Sequence, residues 1–339
     1  MKLISFATKL LHVLPGELSH YLALKSLKIL YTMGVLGLLL GKSHNSLIRH
    51  KNSDASVNIE NLKNRVGFAA GLDKDGEYID SLAALGVGFI EVGTVTPRAQ
   101  SGNARPRLFR NRKEKSLLNR LGFNNKGVDH LVKRLKKRKT KIAIGVSIGK
   151  NFDTSNEDAY KDYTECMRKV YEFSDYIAIN ISSPNTENLR TLSKRQFLDS
   201  LLSKLKLIQS ELSINFGYKP LYLKISPDEN TADTRAICDS ILENKIDGII
   251  CSNTSIDHHN LNGKGGISGS PLKDKSTNKL ILVKTIIGDS IPIMASGGVM
   301  SEKDFQEKIR HGADFVQVYT GFIFEGPKLI SDILKSENL

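Results

Sequence analysis

Tyr176-Ile177-Ala178-Ile179-Asn180-Ile181-Ser182-Ser183-Pro184-Asn185-Thr186 opens as a short apolar, β-branched run and breaks off into polar residues. Working outward from it, seven more runs of the same kind appear: Val66 to Ala69, Val87 to Val95, Ile142 to Ile148, Leu221 to Ser226, Gly248 to Ser252, Ile291 to Ala295 and Phe315 to Tyr319. Longer helical patterns separate them, which is the signature of βαβ units and a parallel sheet. Eight parallel strands with helical connections close most economically into a barrel, leaving no sheet edge exposed. The fold expected is therefore α/β, a (β/α)8 TIM barrel with an N-terminal amphipathic helical extension. A doubly wound open sheet is the alternative, and against it no GxGxxG turn follows the first strand.

The first forty residues differ from the rest. Leu3, Ile4, Phe6, Ala7, Leu10, Leu11 and Leu14 recur at helical spacing with Lys2, Ser5, Lys9 and His12 between them, an amphipathic helix. Pro15-Gly16 breaks it, and a second helical stretch runs from about Glu17 into Met33 to Leu40. That apolar end is shorter than the ~20 residues needed to cross a bilayer. Lys9, His12, Glu17, Lys25 and Lys28 interrupt any signal-like apolar core, so no cleaved leader is expected. Two readings stay open: the helices lie in a membrane interface, or they cap the barrel core. The division expected is an extension over residues 1–44 and a barrel over 45–339.

The net charge of +13 in 339 residues makes an anionic partner worth weighing: nucleic acid, an acidic membrane face or an anionic substrate. The densest basic run, Lys133 to Lys139, reads as a solvated helix end. Cys166, Cys238 and Cys251 form no CxxC pair, which excludes a disulfide framework and a zinc site of that kind and fits a reducing, cytoplasmic compartment.

In a barrel the active site sits at the carboxyl ends of the strands. Here those ends are polar or glycine throughout: Ala70 to Lys74, Gly93-Thr94, Ser147, Asn180 to Thr186, Lys224 to Pro227, Ser252-Asn253-Thr254, Gly297-Gly298 and Tyr319-Thr320-Gly321. Lys74 and Lys224 would be half-buried cations, costly unless an anion or electron-rich group meets them. Either alone reads equally well as a partnered structural lysine; the pair together points to an anionic ligand. The asparagines offer paired donors and acceptors to a planar ligand edged with carbonyl and N–H groups, such as a pyrimidine or an isoalloxazine. Gly297-Gly298 and Gly321 follow strands seven and eight, where barrels often bind phosphate. No carboxylate pair, histidine-rich metal spacing or G-x-S-x-G elbow stands at these ends, so hydrolytic readings lose support.

With these residues in view, the sequence closely resembles the class 2, membrane-associated dihydroorotate dehydrogenases over nearly the whole chain. The resemblance is carried by Ala69 to Gly76, Glu91 to Pro97, Arg105 to Arg110, Asn119 to Asn124, Asn180 to Thr186 and Gln317 to Phe322. It implies oxidation of dihydroorotate to orotate, FMN as hydride acceptor and a membrane quinone as final acceptor, in pyrimidine synthesis. The FMN contacts it implies are Ala70, Gly71, Leu72, Asp73, Lys74, Thr94, Asn180, Lys224, Ser252, Gly269, Gly298, Tyr319 and Thr320. Ser147 stands where the family usually carries an asparagine against FMN, and the departure shortens that side chain. Implied substrate contacts are Lys74, Asn119, Arg120, Leu121, Gly122, Phe123, Asn180, Asn185, Asn253 and Thr254. Ser183 would be the base, Thr186 a candidate relay for its proton, and Lys224 the group that offsets negative charge on the reduced ring. His20, Arg110 and Tyr319 match positions along the family's quinone tunnel.

The resemblance also implies a peripheral enzyme on the cytoplasmic face of the inner membrane, held to an anionic lipid surface. It implies no metal, no nucleic acid and no obligate protein partner. Two other flavin barrels compete. A soluble class 1 dihydroorotate dehydrogenase using fumarate or NAD would carry cysteine at the position of Ser183 and lack the helical extension. A tRNA-dihydrouridine synthase would need a catalytic loop cysteine, whereas Cys166 falls in a helical pattern and Cys251 inside a strand. A non-enzymatic membrane-binding module accounts for the N-terminus but not for eight polar strand ends.

Overall fold

The computed structural model describes residues 7, 8, 10–41, 62–258 and 264–337. Leu3, Ile4 and Phe6 and the expected boundary between residues 44 and 45 lie outside them. Eight strands form the barrel: β1 (Val66–Phe68), β2 (Phe89–Val95), β5 (Ala143–Ile148), β6 (Tyr176–Asn180), β7 (Leu221–Ile225), β8 (Gly248–Cys251), β10 (Ile293–Ser296) and β11 (Phe315–Val318). They close in the order β1-β11-β10-β8-β7-β6-β5-β2, every pairing parallel. Both faces of these strands are covered, by side chains in the barrel and helices outside, so they read as continuous apolar runs rather than alternating ones.

Helices α3 (Ile79–Ala83), α4 (Val128–Lys136), α5 (Ala159–Val170), α6 (Arg195–Phe216), α7 (Thr231–Glu243), α8 (Lys273–Ile287), α9 (Glu302–Arg310) and α11 (Pro327–Ser336) pack around the sheet, and short α10 (Thr320–Glu325) follows β11. Their buried stripes follow helical spacing, as Val128, Leu131 and Leu135 of α4 show. Each such side chain contributes about 1.5–3 kcal/mol on burial. The basic run after Val132 is the solvated end of α4, as expected. Among the described residues, side-chain caps start α7 and α9: Asn230 accepts the Asp233 N–H, and Ser301 accepts the Asp304 N–H.

The lower barrel is filled by Phe89, Ala143, Tyr176, Ala178, Tyr222, Ile250 and Met294. The ring of Tyr176 lies directly over Gly145 on the next strand, where a Cβ would come within 2.0 Å of it. Glycine is what admits an aromatic layer there. The site therefore sits on a rigid, close-packed floor.

Two features differ from the sequence reading. The second helical stretch does not run through to Leu40: α1 (Gly16–Thr32) ends before Gly34, which turns at φ +72, and α2 (Leu36–Leu40) starts afresh. An antiparallel sheet of β3 (Leu108–Asn111), β4 (Ser116–Asn119) and β9 (Gly266–Gly269) was also not foreseen, and it contributes to the walls of the cavity at the barrel mouth. Helix α1 is fastened to this sheet region by ion pairs from Arg105 and Arg107 to Glu17, at 3.2 and 3.0 Å. Leu24, Leu36 and Leu40 join the core. Among the described residues, no helix is long and apolar enough to cross a membrane.

Candidate functional site

The carboxyl ends of the strands open into a cavity of about 1010 Å³, the solvent at its mouth included. On one side stand Ala70, Gly71 and Lys74 after β1 and Thr94 from β2; opposite are Asn180, Ser183 and Asn185 after β6 and Lys224 from β7. Ser252, Asn253 and Thr254 follow β8, and Gly297, Gly298, Tyr319, Thr320 and Gly321 come from the last two strands. Asn119, Leu121, Gly122, Phe123 and Gly269 wall it from the antiparallel sheet and the loop beyond.

The polar side chains are tied to one another. Asn180 donates to Thr94 Oγ1 at 2.8 Å, and its Oδ1 accepts from Asn253 at 3.2 Å. Its backbone carbonyl is held by the Tyr163 hydroxyl of α5 at 2.8 Å. Asn185 donates to Asn119 Oδ1 at 2.8 Å, and Asn119 donates to Gly266 O at 3.1 Å, which ties a barrel loop to the antiparallel sheet. Such a network presents amides at fixed angles to a planar ligand.

Charge is arranged in two places. Lys224 meets Glu91 of β2 across the barrel at 3.4 Å, and Glu91 also accepts from Gln317 at 2.7 Å and from the Tyr176 hydroxyl at 3.1 Å. Lys74 lies half-buried in the cavity wall and donates to Asn124 at 2.7 Å. Burial, then the nearby Arg107 guanidinium, pushes its pKa down to about 8. Ser183 is buried, and its Oγ accepts the Asn185 N–H at 3.3 Å.

Several expected residues stand behind the wall rather than on it. Ser147 is fully buried, and its hydroxyl is engaged with Thr94 Oγ1 at 2.9 Å, so the shortened side chain supports a cavity residue. Asp73 accepts the N–H groups of Glu77 and Tyr78, at 2.9 and 2.7 Å. Leu72 faces a second cavity. Arg120 points outward, donating to Pro106 O and lying over the Phe109 ring. Thr186 is buried with no partner for its hydroxyl, so no direct hydrogen bond joins it to Ser183.

Glu91, Gln317 and Asn124 carried no role in the sequence reading. Glu91 could have been noticed: a lone carboxylate inside Phe89-Ile90-Glu91-Val92 is expensive unless partnered.

The second cavity, about 1500 Å³ with the solvent at its mouth included, is largely apolar and lies between the N-terminal helices and the barrel. Leu11, Leu24, Leu27 and Phe322 line it together with His20, Arg110 and Tyr319. Arg110 donates to His12 O at 3.1 Å and to Ser19 Oγ at 3.0 Å. Burial, then the charge of Lys74, holds the His20 pKa down at about 4. Leu108, Leu117 and Tyr319 line both cavities, so one thin wall separates the polar chamber from the apolar one.

A closed β/α barrel that gathers lysines, amides and glycine turns at the carboxyl ends of its strands defines a barrel enzyme. The family model described as dihydroorotate dehydrogenase matches residues 54–337. The chain belongs to the dihydroorotate dehydrogenase family, in its quinone-dependent class, and the family is one of flavin-dependent oxidoreductases.

The dihydroorotate dehydrogenases (quinone) of Vibrio parahaemolyticus and Aliivibrio salmonicida are each 50% identical over 282 residues, covering 81% of this chain and 84% of theirs. The crystal structure of the Eimeria tenella enzyme in complex with ferulenol superposes with a TM-score of 0.82 at 34% identity, covering 94% of this chain and 90% of that one. Its ligand-free form gives 0.76 at 35% identity, covering 86% and 92%.

Proposed function

We propose that this chain oxidises dihydroorotate to orotate in the polar cavity, with FMN as its bound hydride acceptor and a membrane quinone, met in the apolar cavity, as final acceptor. The observation that carries this reading is the pair of chambers sharing the wall of Leu108, Leu117 and Tyr319. One chamber suits a planar anion and the other a lipophilic molecule.

The donor set fits FMN. Amide and ammonium groups of Asn180 and Lys224 suit the carbonyl edge of a flavin ring. The Gly297-Gly298 turn and the hydroxyls of Thr320 and Ser268, 2.8 Å apart, suit a phosphate. Bound FMN supplies a carrier that accepts a hydride and releases electrons to a quinone.

The chain's own residues do the rest. Lys74 meets the substrate carboxylate, while Asn119, Asn185, Asn253 and Thr254 hold its ring edges. Ser183 takes the C5 proton. It does so as its own hydroxyl proton leaves, and the Asn185 N–H directed at Oγ favours the negative charge that develops on the oxygen as that proton departs. Thr186 relays the displaced Ser183 hydroxyl proton by way of a bridging water, accepting it as it gives up its own proton toward solvent, since the two hydroxyls share no direct bond. Lys224, its charge shared with Glu91, offsets negative charge beneath the cavity.

Exposed Leu10, Val13, Met33 and Leu38, 64–80% accessible, support a peripheral seat on an anionic lipid surface at the cytoplasmic face, with Lys25 and Lys28 alongside. The test is direct: heat-denatured protein should release FMN, and orotate should perturb the absorbance of the bound flavin. Release of no flavin, or of FAD, would contradict the reading.

A further inference from the structure

Lys308 of α9 is 1% exposed, and among the described residues no carboxylate comes within ion-pair distance of it. Asp304 and Glu307 of the same helix are engaged by Lys273, at 2.7 and 2.9 Å. The Lys308 ammonium instead donates to Ser276 Oγ and Thr277 Oγ1, both at 2.7 Å, on the first turns of α8. Neutral partners satisfy its N–H groups but leave its charge without a counterion. That arrangement costs stability unless something else supplies the negative charge.

Where the ammonium points is specific. Ser276 Oγ also lies 2.9 Å from Gly297 O, so one hydroxyl separates Lys308 from the backbone of the Gly297-Gly298 turn. That turn lies tightly on α8: a Cβ on Gly298 would come 2.2 Å from Lys273 Cα. The other face of the turn lines the polar cavity after β10, the seventh strand of the barrel. The loop after the seventh strand is where a barrel holds phosphate.

We infer that Lys308 is a positioning residue for the flavin phosphate, holding the Gly297-Gly298 turn through Ser276 and supplying the dianion's countercharge from behind it. This rests on the FMN reading above. The charged and titratable groups that act on Lys308 are Cys251 of β8, Lys273 of α8, and Asp304 and Glu307 of α9. Burial, against partial relief from Cys251 and the two carboxylates, pushes the Lys308 pKa down to about 8.

The test compares FMN with riboflavin, which lacks the phosphate. The full-length chain and its Lys308→Met variant are freed of flavin and titrated with each, following quenching of flavin fluorescence. The expected result is about tenfold weaker FMN binding in the variant with riboflavin binding unchanged. An equal loss for both flavins would make Lys308 a structural tie between α8 and α9, and no loss for either would also overturn the inference.

Should the variant not fold, the wild-type chain serves. Its preference for FMN over riboflavin should fall as pH rises through 8, since the phosphate is already ionised above ~6. A constant preference from pH 7 to 10 would overturn the inference. If the wild-type chain binds neither flavin, it is the FMN reading itself that fails.

Discussion

Ser183 Oγ accepts a backbone N–H, which favours negative charge on the oxygen as its own proton leaves in the base role proposed for it. Removing that oxygen should slow flavin reduction by ~10²–10⁴-fold. Anaerobic stopped-flow mixing of Ser183→Ala with dihydroorotate measures this, and a wild-type reduction rate would remove Ser183 from the role. Lys74 makes a pH prediction. With its pKa near 8, the ammonium proposed to meet the substrate carboxylate is present below pH 8 and lost above it. kcat/KM, which reports the free enzyme, should therefore fall about tenfold per unit at higher pH. A profile flat to pH 10 would contradict the assignment.

At this scale the sequence was informative wherever a polar residue interrupts an apolar run, as at Asn180 and Lys224. It could not say how far a side chain reaches. Ser147 and Asp73 have the right position in the chain, yet their polar atoms are already engaged by Thr94 and by the Glu77 and Tyr78 N–H groups.

Among the elements, the eight barrel strands were legible because each is a compact apolar run between helical patterns. The antiparallel sheet was not. Its strands are four residues long, and Ser116 of β4 pairs with Gly269 of β9, a partner far away in the chain. Nothing local in Ser116-Leu117-Leu118-Asn119 announces that partner. The N-terminal helices were legible as amphipathic, but their use was left open between core cap and membrane seat. They do the first through Leu24, Leu36 and Leu40, and they wall the apolar cavity as well. Deleting residues 1 to about 40 should therefore leave flavin reduction by dihydroorotate largely intact and abolish quinone turnover. Steady-state assays with each acceptor check this, and retained quinone turnover would show that the quinone does not use this cavity.

Taken whole, the molecule sets a polar chamber at a barrel mouth against an apolar chamber under two helices, with Tyr319 in the wall between them. Neither chamber could be read from composition. The closed barrel was legible in the alternation of strand and helix patterns, because eight strand-helix repeats have few other ways to bury both faces of a sheet. On the proposed reading electrons enter from dihydroorotate on one side of the wall and leave to a quinone on the other. The most direct measurement adds dihydroorotate anaerobically to the purified protein, follows the flavin absorbance, and then supplies a short-chain quinone to the same cuvette. The expected result is bleaching followed by full recovery. Bleaching without recovery would contradict the quinone path, and a bound flavin that dihydroorotate fails to bleach would contradict the substrate.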